Sequence, residues 1–158
     1  MAELNPGDLA PDVTLITSEG GALTLSQLRG RPLVLYFYPK DDTTGCTREA
    51  LDFSHLKAAF GSAGVAILGV SKDTPAKHVK FAAKHGLTIS LASDEDGSVC
   101  EAFGTWIEKS LYGRKYMGID RATFLIDKDG QIAKIWRKVK VPGHAEAVLA
   151  AAEELVRA

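Results

Sequence analysis

The chain has 158 residues, 46% of them apolar and 25% charged, with a formal net charge of −1. That size and balance predict one globular domain, residues 1–158, whose core needs no disulfide framework or structural metal. The basic residues are dispersed, which argues against a nucleic-acid surface or a patch for anionic membranes.

The N-terminal MAELNPGDLAPDV has no basic segment followed by an apolar run, so it reads as neither signal peptide nor anchor. Two cysteines and no export signal predict a reducing, cytoplasmic setting. Residues 1–12 form an arm holding Pro6, Gly7 and Pro11. Val13 to Thr17 and Ala22 to Leu25 flank Glu19-Gly20-Gly21 and read as a short hairpin. Ser26 to Gly30 read as a helical turn.

Leu33 to Tyr38 are six apolar or aromatic residues in a row, the pattern of a strand buried on both faces. Pro39 ends the run, since it has no N–H for a ladder. Asp41, Asp42, Thr43, Thr44 and Gly45 are turn and cap residues. Phe53, Leu56, Phe60 and Ala63 then fall on one helical stripe. Gly61 and Gly64 are stop signals.

Val65 to Val70 form a second buried strand-like run. Asp73-Thr74-Pro75 opens a helix that should end near Gly86. Thr88 to Ala92 suggest a short strand. Ser93 to Asp96 begin a helical piece containing Val99, Cys100 and Phe103, which stops at Gly104. Ala122 to Ile126 and Gln131 to Trp136 flank Asp127-Lys128-Asp129-Gly130 and predict an antiparallel hairpin. From His144, the residues Ala145, Val148, Leu149, Ala152, Leu155 and Val156 line one face of a helix. The order predicts an α/β fold: a mixed central sheet flanked by helices, with a β-hairpin at the N-terminus.

The strand–loop–helix step centred on Cys46 carries the chemistry. It places Cys46 in the first turn of a helix, where free backbone N–H groups and the positive end of the macrodipole lie. A thiolate is favoured there, and the thiolate is the nucleophile. The competing reading is a small buried hydrophobe beside a core strand.

The pattern Pro39-x-x-x-Thr43-x-x-Cys46 resembles the active-site signature of the peroxiredoxins. The longer run YPKDDTTGCTREA, then FGTW, YGRKYMGIDRATFLIDKDGQI and VKVPGH, resemble the bacterioferritin-comigratory-protein (PrxQ) branch in order along nearly the whole chain. The resemblance implies a thioredoxin-like fold and a thiol peroxidase acting on hydrogen peroxide and organic hydroperoxides through a Cys46 sulfenic acid. No cofactor is implied. Thr43 and Arg121 would be catalytic beside Cys46: Thr43 bonding the peroxide, Arg121 stabilising the thiolate and donating to the peroxide. Pro39 would shield the sulfur, Gly45 would offer a backbone N–H, and Glu49 would orient Arg121. Each also has a plainer role, as helix N-cap (Thr43), strand terminator (Pro39), solvated charge (Arg121) or exposed first-turn acid (Glu49).

The chain departs from many members of that branch. A resolving cysteine often stands five residues after the reactive one, and here that position is Leu51. Residues 76–86, the other usual place, hold no cysteine. Cys100 is the remaining thiol, a possible resolving partner or a buried structural residue. Hence a one-cysteine enzyme recycled by thioredoxin or by glutathione with glutaredoxin is expected, with a two-cysteine route through Cys100 as the alternative. Thr44 stands where relatives commonly have proline.

A thioredoxin-type oxidoreductase would want Cys-x-x-Cys, and Cys46 is followed by Thr47-Arg48-Glu49. A thioredoxin-fold binding module without peroxidase activity is the non-enzymatic alternative. Trp106, Tyr112 and Tyr116 could frame the pocket mouth, with core or rim packing the simpler expectation. The four histidines lack metal-ligand spacing, and Asp41-Asp42 and Asp94-Glu95-Asp96 read as turns and caps. A monomer is expected.

Overall fold

The computed structural model describes residues 3–158. Seven strands form the main sheet, in the order β2-β1-β5-β4-β3-β8-β9. They are β1 (Thr14–Thr17), β2 (Ala22–Thr24), β3 (Leu33–Phe37), β4 (Ala66–Ser71), β5 (Ser90–Ser93), β8 (Ala122–Ile126) and β9 (Ile132–Trp136). The three central strands β3, β4 and β5 run parallel, and the other pairs are antiparallel. The crossovers that parallel pairing demands are helical: α1 (Thr44–His55) and α2 (Lys57–Ser62) between β3 and β4, and α3 (Pro75–His85) between β4 and β5. Helices α4 (Ser98–Ala102) and α5 (His144–Arg157) complete the layers. The mixed sheet and the N-terminal hairpin agree with the sequence reading; the hairpin joins the main sheet through β1 and β5.

Strand β3 is buried along its whole length, and its residues alternate between two cores. Leu33, Leu35 and Phe37 face one side, with Val99 and Cys100 of α4, Phe103 and Phe124. Val34, Tyr36 and Tyr38 face the other, with Cys46, Ala50 and Phe53 of α1, Phe81 of α3 and Val148 of α5. A period-two strand buried on both faces must feed both layers in this way.

The stripe from Phe53 to Ala63 does pack into one core, but on two helices rather than one. The Leu56 N–H is shared between the carbonyls of Asp52 and Phe53, at 3.3 and 3.1 Å. This tightening ends α1, and α2 restarts one residue later. A second hairpin, β6 (Trp106–Leu111) and β7 (Arg114–Ile119), was not expected from the sequence. It forms a separate two-stranded sheet whose residues are mostly exposed on both faces, so it has no apolar alternation to reveal it. Its turn needs Tyr112 and Gly113 at positive φ, 50° and 77°.

The N-terminal arm runs along the outer edge of β9. Gly7 N–H donates to the Ile132 carbonyl at 2.7 Å, Ile132 N–H to the Asp8 carbonyl at 2.8 Å, and Ala10 N–H to the Gly130 carbonyl at 2.8 Å. Among the described residues, no helix is long and apolar enough to cross a membrane.

Candidate active site

The turn after β3 brings the chain from Tyr38 to the start of α1. Thr43 is the N-cap residue in extended conformation, and Thr47 N–H closes the first helical bond on the Thr43 carbonyl at 2.8 Å. Thr44, Gly45 and Cys46 are therefore the first helical residues, whose N–H groups the helix itself leaves unpaired. Cys46 points inward and is only 1% exposed.

Arg121 precedes β8, the strand that pairs with β3 on the side opposite β4. Its Nη2 donates to Cys46 Sγ at 3.3 Å, across 75 residues of sequence. Its Nη1 donates to Glu49 Oε1 at 2.6 Å. The guanidinium fork thus spans two groups of one helix turn. It is no solvated surface charge, since its side chain is mostly buried. Gly45 makes room for it: a Cβ there would lie 3.1 Å from Arg121 Nη2.

Glu49 is likewise not an exposed first-turn acid. It is fully buried, and its Oε2 has no hydrogen-bond partner among the described residues. Burial raises its carboxyl from 4.5 to about 7, with Arg121 pulling the other way. The Thr43 side chain also departs from its simpler expected role. Its hydroxyl makes no cap bond to the helix; it donates instead to the Lys40 carbonyl at 2.9 Å. Pro39 is half-buried at the end of β3.

Cys100 lies in the other core, beyond the sheet from Cys46, and is fully buried. Burial, and then the neighbouring Asp94 carboxylate, push its thiol well above the ordinary range. Both cysteines are free. Trp106 packs partly against the core, with Lys72 Nζ 4.1 Å from its ring centre, whereas Tyr112 is 97% exposed.

Two groups read as turn or scattered residues prove to be interior. Asp41 and His78 are buried and bonded to each other at 2.7 Å. No local sequence signal joins them, because 37 residues separate them.

A buried cysteine at a helix start, a guanidinium on its sulfur and a threonine hydroxyl one turn earlier, on a sheet of this order, define a thiol peroxidase of thioredoxin fold. The AhpC/TSA family model matches residues 6–135. A peroxiredoxin Bcp of Xanthomonas campestris is 51% identical over 140 residues, covering 89% of this chain and 88% of its own. The Escherichia coli K12 peroxiredoxin Bcp is 42% identical over 149 residues, covering 94% and 96%. The solved Xylella fastidiosa PrxQ superposes with a TM-score of 0.91 at 41% identity, covering 98% of each chain. The chain belongs to the AhpC/TSA family of peroxiredoxins, and its relatives place it in the Bcp/PrxQ branch.

Proposed function

We propose that this peroxiredoxin reduces hydrogen peroxide and organic hydroperoxides at Cys46, with Thr43 and Arg121 as the other catalytic groups. The observation that carries the reading is the 3.3 Å contact of Arg121 Nη2 with Cys46 Sγ at a helix start. The Cys46 thiolate attacks one peroxide oxygen. An S–O bond forms and the O–O bond breaks; the sulfur is oxidised by two electrons to sulfenic acid, and the leaving oxygen takes a proton and departs as water or alcohol. Arg121 and the unpaired N–H groups of Gly45 and Cys46 face the charge that moves from sulfur to oxygen, which is where fixed donors lower a barrier most. Pro39 shields the sulfur, and Glu49 holds Arg121. A solved Xanthomonas campestris bacterioferritin comigratory protein is described for alkyl peroxide reduction, which supports organic hydroperoxides among the substrates.

The sulfenic acid returns to thiol through an external thiol, thioredoxin or glutathione with glutaredoxin. Two features support this one-cysteine cycle. The sheet stands between the two cysteines, whereas a disulfide needs Cα atoms within about 7 Å. The Cys100 thiol is also held protonated by its burial and by Asp94, which disfavours it as a nucleophile. The alternative, Cys100 as resolving cysteine, requires large unfolding of α4 or α1. A cytoplasmic, monomeric enzyme of one domain completes the reading.

The test is peroxide consumption with dithiothreitol, joined to intact mass after one equivalent of peroxide. Wild type should turn over and Cys46→Ser should not; equal rates in the two would end the peroxidase reading at this residue. Cys100→Ser should keep its turnover, and wild type should gain one oxygen. Loss of two hydrogens with a Cys46–Cys100 peptide link would replace it with the two-cysteine cycle.

A further inference from the structure

Helix α3 grips the loop that leads to Cys46, and the grip is polar and buried. Tyr38 Oη donates to Asp41 Oδ1 at 2.6 Å. His78 Nδ1 lies on Asp41 Oδ2 at 2.7 Å, and His78 Nε2 on the Ala92 carbonyl at 3.0 Å. A carbonyl can only accept, so Nε2 carries a hydrogen, and one further proton sits between Nδ1 and the Asp41 carboxyl. The Asp41 carboxyl is thus held by Tyr38, the residue after β3, and from α3 by His78, whose ring is itself anchored on β5.

The backbone of the same residue continues the chain of bonds. Asp41 N–H donates to Asp73 Oδ2 at 2.8 Å, and Ser71 Oγ donates to that same oxygen at 2.7 Å. The other end of the Lys40–Asp41 peptide is the Lys40 carbonyl, which accepts the Thr43 hydroxyl at 2.9 Å. One planar peptide therefore links the buried network on its N–H side to Thr43 on its C=O side. The next residue, Asp42, sits at φ 61°, a conformation few non-glycine residues adopt, with its carboxylate held by Lys84 and His85 of α3.

A hydroxyl has one hydrogen to give. With that hydrogen committed to the Lys40 carbonyl, the Thr43 oxygen can only accept from any further partner. A peroxide O–H is a donor that such an oxygen would hold. We propose that His78 and Asp41 are positioning residues for the peroxidatic reaction: together they fix the Lys40–Asp41 peptide that sets Thr43 as an acceptor for the peroxide O–H. The inference rests on the peroxidase reading above.

The test compares two reactions of reduced Cys46: with hydrogen peroxide, which needs Thr43, and with iodoacetamide, which needs only a reachable thiolate. His78→Leu should slow the peroxide reaction by about ten- to a hundredfold, the range of a misplaced reacting group, and alter alkylation less than about twofold. His78→Asn, whose amide can still donate to Asp41, should recover most of the loss. In a Thr43→Val background, His78→Leu should cost little more, because the group it acts through is gone. Equal losses in both reactions, or the same additional loss in the Thr43→Val background, would overturn the proposal. Should His78→Leu fail to fold, Asp41→Ala, which removes the carboxyl that His78 and Tyr38 hold, takes its place in both comparisons with the same outcomes deciding. An inactive wild type would instead defeat the peroxidase reading itself.

Discussion

Glu49→Gln tests the buried acid most sharply. Burial raises the Glu49 carboxyl from 4.5 to about 7. A folded-state value above the unfolded one means that folding favours the protonated acid. The destabilisation is absent below pH 4.5, grows as the pH rises, and is complete just above neutrality. The interval from 4.5 to about 7 sets its size at about 3 kcal/mol. His144 slopes the other way. Burial, aided by Arg121, lowers its ring from 6.5 to about 4. The folded state favours the neutral ring, so stability rises with pH between those values, by about 2 kcal/mol once solvent screening at the start of α5 is allowed for. The two slopes largely cancel in the wild type between about pH 4.5 and 6.5. Glu49→Gln removes one of them and leaves the His144 slope uncovered. Relative to wild type, the variant should gain about 3 kcal/mol of unfolding free energy between about pH 4.5 and pH 8. The amide's unpartnered N–H₂ adds an offset that does not vary with pH. Urea unfolding followed by tryptophan fluorescence, at both pH values and under reducing conditions, reads the difference. Parallel pH profiles for the two proteins would refute the reasoning.

Arg121→Lys should lower the second-order rate with peroxide by about a hundred- to a thousandfold, since one ammonium cannot bond Glu49 and Cys46 at once as the fork does; stopped-flow oxidation of the reduced enzyme measures it, and a loss under about fivefold would contradict the role. Gly45→Ala should separate activity from stability. The added methyl pushes on Arg121 from 3.1 Å and should slow peroxide reduction about tenfold, while alanine's better helix propensity keeps the melting temperature at or above that of wild type.

The sequence showed the Cys46 step because every signal there is local. A run of apolar residues, a proline, turn residues and a helical stripe lie within 30 positions. The same locality made α3 and the β8–β9 hairpin readable to within a few residues. Arg121 carried no local mark; its approach to Cys46 is set by the pairing of β3 with β8, and only the family resemblance pointed to it. Asp41 was hidden differently. An aspartate after Pro39-Lys40 has the composition of a turn, and its burial depends on a histidine contributed by α3. Glu49 looked like a first-turn acid because helical spacing does not say which face a later strand will cover. The β6–β7 hairpin escaped because its two faces are both largely wet, so no period of two was present to find.

The arm that lies along β9 bears on how molecules meet. A terminal strand offers a row of unused N–H and C=O groups, a template on which another chain can dock. Here residues 7 to 10 of the same chain occupy part of that row. A chain trimmed to begin at Asp12 would keep every group around Cys46, yet present a bare rim to its neighbours; the change would be felt as association and lost solubility, with the chemistry at the sulfur untouched.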